Sequence, residues 1–295
     1  MPKHAESFKL LPEKHPKAFI VMNLSRERVL PCAKSVISFL VNIGIEPVMD
    51  VGIASVVGAA GQSFAPQDEA LPESDIMIVI GGDGTILRAA KDAILYDMPI
   101  LGINAGHLGF LSELEDEDIF MLSKLIEGGC TVEKRMLLDV VHGEEKFTAV
   151  NDILVNKTEP GKIIDLYVTC DGREVSQYRA DGVVLATPNG STAYSMSAGG
   201  PVLDSEMDAI IMTPVCPHSL ISRSIVFSPE KKLNVRSRLL NADDKFGVIV
   251  DGDHVMSLSA DDSVTIKRSS KKVKFINITG RGFYEILNQK IIGRR

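Results

Sequence analysis

No apolar run in this 295-residue chain is long enough to cross a bilayer; the longest, such as Ile76–Ile80, fall far short. The first 17 residues carry Lys, His, Glu and Pro without a continuous apolar stretch, so no secretory signal is expected. Lipidation signals are missing too, since residue 2 is proline and the chain ends Gly-Arg-Arg. Cysteines are few and scattered (Cys32, Cys130, Cys170, Cys216), with no C-x-x-C pair. That excludes a clustered zinc site and points to a reduced, cytoplasmic protein with free thiols. An excess of positive charge is also lacking: the formal net charge is −7, which argues against a nucleic-acid partner. The longest basic run, Lys267–Lys274, reads as a solvated hairpin rim, with an anion-contacting edge as the alternative. Neither a membrane nor a nucleic acid is expected as a partner. Internal repeats and low-complexity tracts are absent.

What is present suits two domains. Apolar runs at Ala18–Leu24, Ile45–Val48, Asp75–Ile80 and Met98–Ile103 read as strands. Helical spacing at Cys32–Asn42, Ile86–Tyr96 and Asp116–Glu127 separates or follows them. Strands joined by helices of this length predict a parallel sheet with helical crossovers. After about Thr131 the pattern turns to short strands, at Asp139–His142, Ala149–Val155, Ile163–Cys170, Gly182–Ala186, Ser224–Phe227, Leu233–Val235, Phe246–Val250 and Val264–Ile266. They are split by turn signals at Asp171-Gly172, Ser228-Pro229, Asn241–Asp244 and Asp251-Gly252. One short helix is expected at Ser191–Ala198, and the tail Gly282–Ile291 reads as helical again.

The segment Gly81-Gly82-Asp83-Gly84-Thr85 lies between a buried strand and a helix. Ligands bind at the carboxyl ends of strands in open α/β sheets. Glycines admit an anion close to main-chain N–H groups, and a helix N-terminus adds its dipole. A polyphosphate therefore suits this loop. Asp83 is the odd member, because a carboxylate beside phosphates repels them unless it takes a proton or faces a metal. An N-cap or a tight turn would also account for an Asp here. Neither a Walker A loop nor G-x-G-x-x-G occurs, so any dinucleotide is held in another way.

A second motif spans Asp181–Pro201. It runs from a strand through Pro188-Asn189-Gly190 into Ser191, Thr192, Tyr194, Ser195 and Ser197, then Gly199-Gly200-Pro201. Five hydroxyl residues in seven positions exceed what a helix cap needs. They offer donors and acceptors to ribose or phosphate oxygens, and Tyr194 offers a flat face. Asn151-Asp152 and the loop Asn104–Phe110, with His107, are lesser constellations; taken alone, the first is a turn pair and the histidine a structural one.

In this order, Gly81–Thr85, Gly102–Asn104 with His107–Phe110, Asn151-Asp152, Asp181–Pro201, Pro214 with Cys216–Leu220, and Val250–Gly252, the chain resembles the NAD kinase family. The glycine loop alone is shared with diacylglycerol-type lipid kinases and phosphofructokinases; the long second motif is specific. The resemblance implies an α+β, two-domain fold. Residues 1–130 would form an α/β domain with a parallel, Rossmann-like sheet, to which 275–295 return as a C-terminal helix. Residues 131–274 would form an all-β, sandwich-like domain, with NAD in the cleft between the two. By the same likeness Asp83 accepts the proton of the adenosine-ribose 2′-hydroxyl of NAD. Gly81, Gly82, Gly84 and Thr85 meet the phosphates of ATP or polyphosphate. The NAD site includes Asp83, Gly84, Phe110, Asn151, Asp152, Asp181, Asn189, Thr192, Ala193, Tyr194, Ser195, Met196 and Ser197, with Arg88 and Arg179 as lesser candidates for anionic oxygens. Mg2+ arrives on the donor phosphates rather than on protein side chains. A homodimer or homotetramer is implied. The chain departs from the family pattern at Asn189, where Thr or Ser is usual, and at Asp253, where Gln is frequent. Rival readings are a lipid or small-alcohol kinase, which requires an apolar acceptor site, and a non-catalytic NAD-binding regulator, which has no use for Asp83.

Overall fold

The computed structural model describes residues 5–58, 62–106, 109–159, 163–219, 222–238, 245–260 and 262–292. His107, Leu108, Leu220 and the expected turn at Asn241–Asp244 lie outside the described residues. Two compact units emerge, Met1–Lys134 with Val273–Arg295, and Arg135–Lys272.

In the first unit, strands Lys17–Met22 (β1), Glu46–Asp50 (β2), Ser63–Ala65 (β3), Ile76–Ile80 (β4) and Ile100–Asn104 (β5) pair in parallel. The C-terminal part of the strand Ser263–Asn277 adds to β5 through Phe275 and Ile100. The order is that strand, then β5, β4, β1, β2, β3. All five residues of β4 and of β5 are buried, as parallel strands covered on both faces must be. Helix α1 (Val29–Asn42) buries Val29, Cys32, Ala33, Val36, Ile37 and Leu40, one stripe at helical spacing. It starts three residues earlier than the periodicity predicts. Pro31 falls in its first turn, where a missing N–H breaks no helical bond. Helix α2 (Asp83–Leu95) likewise begins earlier, at the glycine loop itself.

The helix expected at Asp116–Glu127 is instead a 3-10 helix, Asp116–Ser123, passing into one α-turn, Lys124–Glu127. Its buried residues Leu122 and Leu125 are three apart, the repeat of the tighter helix. The tail carries α-turns at Phe283–Leu287 and a π-helical stretch at Asn288–Ile292. It groups with the first unit, where Lys124 Nζ donates to Ile278 O at 3.0 Å and Glu113 accepts from the N–H groups of Ile278 and Thr279.

In the second unit, Asp152–Lys157 (β6), Gly182–Ala186 (β7), Ile210–Val215 (β8), Ile225–Phe227 (β9), Phe246–Val250 (β10) and Asp253–Leu258 (β11) form an antiparallel sheet in the order β9-β8-β7-β6-β10-β11. Ile164–Cys170, Arg173–Ala180, Leu233–Arg238 and the start of Ser263–Asn277 pair antiparallel as a further stretch of sheet in this unit. Leu166, Val235 and Ile266 of this sheet and Ile153, Leu185 and Phe246 of the other belong to one buried apolar cluster. Two hairpins turn on Asp171-Gly172 and Asp251-Gly252, with φ of +50° and +79°, and +51° and +92°. Positive φ at both central residues is the turn that matches strand twist.

Sequence periodicity misses the strands Arg173–Ala180, β8 and β11. Arg173–Ala180 is polar along most of its length, burying only Tyr178 and Ala180. The helix expected at Ser191–Ala198 is a 3-10 turn, Asn189–Thr192, and an α-turn, Tyr194–Ser197, broken at Ala193 (φ −99°, ψ −128°).

Candidate active site

The glycine loop leaves the buried strand β4 and enters α2, where Thr85 N and Ile86 N donate to Gly82 O at 2.8 and 3.2 Å and the N–H groups before them precede any helical carbonyl. Gly81 N donates to Ile103 O at 2.9 Å, tying the loop to β5. Asp83 is half-buried, and its carboxylate is held by main chain. Oδ2 accepts from Phe110 N at 2.8 Å and Oδ1 from Leu111 N at 3.2 Å. A carboxylate has about four acceptor sites, so lone pairs remain for a substrate hydroxyl. The Phe110 ring is covered by Lys290, whose Nζ lies 5.2 Å from the ring centroid, within cation–π range. Thr85 Oγ1 accepts from Asn23 Nδ2 at 3.4 Å. Gly84 and Arg88 are exposed.

Sequence reasoning overlooks Arg26. Its Nη1 lies 3.2 Å from the place a Cβ on Gly82 would take, so the guanidinium rests over the glycine loop. Arg26 is exposed, and its only sequence signal is that it is one of two basic residues, with Arg28, after β1.

In the second unit the candidates meet around Asn151 and Asp152, at the start of β6. Asn189 Nδ2 donates to Asn151 Oδ1 at 2.7 Å, and Asn189 Oδ1 accepts from Arg135 Nη1 at 2.5 Å. The unusual Asn189 thus bridges a cation and the Asn151 amide. Thr187 fastens the same segment, its N–H donating to Asn151 O at 2.9 Å and its hydroxyl to Val150 O at 2.7 Å. Gly190 must be glycine here: a Cβ would lie 2.1 Å from Asn151 O. Asp251 accepts from the N–H groups of Val150 (2.8 Å), Asn151 (2.7 Å) and Asp152 (3.1 Å). Burial raises the Asp152 carboxyl to about 7, and the neighbouring Asp251 charge adds to the rise, against a hydrogen bond from the Tyr194 N–H. Arg135, Thr187, Gly190 and Asp251 carry no local signature of this role, since their partners lie far away in sequence.

Tyr194 is 43% exposed. With Asp181, Lys157, Val215 and Cys216 it lines a cavity of about 460 Å³. Lys157 Nζ pairs with Asp181 Oδ1 at 2.5 Å. Arg179 is exposed and does not line this cavity. Ser195 is fully buried, its hydroxyl 3.1 Å from Thr213 Oγ1, which in turn donates to Ser224 Oγ at 3.1 Å. Its side chain therefore faces the interior, whereas Ser197 is exposed and Thr192, Ala193 and Met196 are half-buried. Thr192 Oγ1 is spent on Asn189 O at 3.2 Å. Asp253 is exposed at the start of β11, opposite Val250.

Two family models match the chain, the ATP-NAD kinase N-terminal domain over residues 19–130 and the ATP-NAD kinase C-terminal domain over 150–278. An NAD kinase of Caldanaerobacter subterraneus subsp. tengcongensis is 35% identical over 284 residues, 94% of this chain and 99% of that protein. The chain belongs to the NAD kinase family. Another NAD kinase, from Methanothermobacter thermautotrophicus, is 35% identical over 92% of this chain and 95% of that protein. A crystal structure of an NAD kinase from Archaeoglobus fulgidus in complex with ATP superposes with a TM-score of 0.71 at 27% identity, covering 92% of this chain and 98% of that one. Yeast NADH kinase complexed with NADH superposes at 0.84 with 21% identity, covering 99% and 94%, and bears on the fold alone.

Family membership gives the chain NAD kinase activity, phosphoryl transfer to NAD. It sets aside both rival readings. An NAD kinase needs a cradle for phosphates, a proton acceptor and a surface for a dinucleotide. The glycine loop offers main-chain N–H groups and a hydroxyl, chemistry that fits phosphate oxygens, with Asp83 its one carboxylate. No helix among the described residues is long and apolar enough to cross a membrane.

Proposed function

We propose that Asp83 accepts the proton of the adenosine-ribose 2′-hydroxyl of NAD as that oxygen attacks the terminal phosphorus of ATP or another phosphoryl donor. The single observation that carries this role is the double main-chain hydrogen bond to the Asp83 carboxylate. It fixes the side chain before substrate arrives, so little reorganisation is needed at the reacting atom. Gly81, Gly82, Gly84 and Thr85 hold donor phosphates at the N-terminus of α2, and Arg26 adds a cation over the loop.

Asn151 and Asp152 hold the adenosine portion of NAD, with Asn189 orienting Asn151. Tyr194 presents its exposed ring to the dinucleotide, and Asp181, Thr192, Ala193, Met196 and Ser197 surround it. Ser195 acts from behind, through the buried hydroxyl chain to Thr213. Phe110 serves through its main-chain N–H, and Arg88 and Arg179 remain outer contacts for anionic oxygens.

Mg2+ belongs to this reading as an ion carried by donor phosphates, whose charge it would neutralise when bound. The loop's N–H and hydroxyl donors fit the phosphates that would bring such an ion, and Asp83 is the carboxylate of this loop that would meet it. A cytoplasmic enzyme is supported by four free cysteines. A homodimer or homotetramer follows from the family likeness, and light scattering of the purified protein measures it.

The decisive test is NADP formation by the purified full chain with NAD, magnesium and a panel of donors. Production of NADP that vanishes in Asp83→Asn supports the reading. Full activity in that variant removes Asp83 from the base role.

A further inference from the structure

Asp251 belongs to a turn that phosphoryl transfer does not by itself require, yet its carboxylate gathers three consecutive N–H groups from a segment a hundred residues away. Val150, Asn151 and Asp152 donate at 2.8, 2.7 and 3.1 Å. The main chains meet as well, since Asp251 N donates to Asp152 O at 3.0 Å. Asp251 has a φ of +51° and is followed by Gly252 at +92°, so the turn aims the carboxylate back at β6. From the other side Thr187 takes Asn151 O and Asn189 takes the Asn151 side chain. All of these contacts but the one from Val150 bear directly on the pair Asn151-Asp152. That pair sits where the chain would otherwise turn freely, between Ala149, the last residue of one strand, and β6.

We propose that Asp251 is a positioning residue for NAD: its carboxylate sets the main chain of Val150–Asp152, and through it the side chains of Asn151 and Asp152 that take the adenosine portion. The inference rests on the proposed roles of Asn151 and Asp152. The effect is geometric and electrostatic together. Three N–H donors converging on one carboxylate fix the peptide planes on either side of Asn151. The same negative charge lies beside the buried Asp152 carboxyl and disfavours its ionised form. The groups acting on Asp152 are the Asp251 carboxylate and the Tyr194 N–H; the Arg135 guanidinium is engaged with Asn189, which in turn donates to Asn151. An ionised Asp152 accepts from ribose hydroxyls better than a protonated one, so Asp251 sets both where Asp152 stands and at which pH it binds.

The experiment compares steady-state kinetics of the full-length wild type, Asp251→Asn, Asp251→Glu and Asp152→Asn between pH 5.5 and 8.5. In the wild type, kcat/KM for NAD rises with pH through an inflection near 7, the value to which Asp152 is raised. In Asp251→Asn the KM for NAD rises about tenfold or more, the weight of a lost charge-assisted bond, while the KM for the donor stays within about twofold. The inflection moves to lower pH, because the charge that opposes Asp152 ionisation is gone. A rise in KM with an unmoved inflection reduces Asp251 to a structural turn residue and overturns the proposal, as does an unchanged KM. Should Asp251→Asn not fold, Asp251→Glu carries the test. Its charge survives, so the inflection stays near 7, but the longer side chain misplaces the carboxylate and the KM for NAD rises; a wild-type KM there overturns the proposal. Asp152→Asn separates the two levels. If it leaves both the KM for NAD and the inflection as in the wild type, the reading of the adenosine site fails, whatever Asp251 does.

Discussion

A Cβ atom on Gly109 would lie 1.6 Å from Asp83 Oδ1, so the proposed base occupies the space that any side chain at position 109 would take. The obstacle is the end of a side chain rather than main chain, and the fold can absorb it by turning the carboxylate away. Gly109→Ala is therefore a way to displace Asp83 without mutating it. The expected outcome is a loss of kcat of about 10²-fold or more, the range for a general base, with circular dichroism and melting temperature little changed. Asp83→Asn serves as its companion. It abolishes turnover with NAD binding held within about tenfold, as for a group that acts mainly in the transition state. Stopped-time assays for NADP and calorimetric titration with NAD check both.

The buried Asp152 gives stability a pH dependence of unusual sign. Its carboxyl is raised from 3.8 to about 7 in the folded protein by burial and by Asp251. Between those values the folded state holds a proton that the unfolded chain has lost. This group's contribution is thus full below pH 3.8 and is lost as pH rises through about 7, at up to roughly 1.4 kcal/mol per pH unit. Asp152→Asn removes the dependence. Thermal melts at pH 5 and pH 8 should show the variant gaining on the wild type at the higher pH; parallel curves would count against the shift.

Tyr194 is 43% exposed and lines the cavity of about 460 Å³ in the second unit. Tyr194→Ala should weaken NAD binding roughly three- to tenfold, the weight of one aromatic contact, and leave the unfolding midpoint nearly unmoved. Titration calorimetry and a urea melt measure the two effects, and an unaltered NAD affinity removes Tyr194 from the site.

Arg26 makes a prediction for the other substrate. With its guanidinium over Gly82, Arg26→Ala should raise the KM for the phosphoryl donor about tenfold or more, as for loss of a hydrogen bond to a charged group. The KM for NAD should change little. Equal effects on both substrates would show a general disturbance rather than a donor contact.

The sequence by itself determined the material of the site. Buried runs such as Ile76–Ile80 and the stripe along Val29–Asn42 dictate a parallel sheet with helical crossovers, because local burial and periodicity are properties of neighbouring residues. Asp171-Gly172 and Asp251-Gly252 were legible as turns for the same reason, each needing left-handed backbone at two positions. The polar strand Arg173–Ala180 was not legible, because its pairing with Ile164–Cys170 supplies the order that its own pattern lacks. Tertiary structure alone decided which groups face one another. Asp83 is held by Phe110 and Leu111, Asn151 by Asn189, and Val150–Asp152 by Asp251. Ser195, one hydroxyl among five in its motif, is turned inward to Thr213. Hydrogen bonds between residues tens to a hundred positions apart depend on where the folded main chain places donor and acceptor, and no local spacing encodes that.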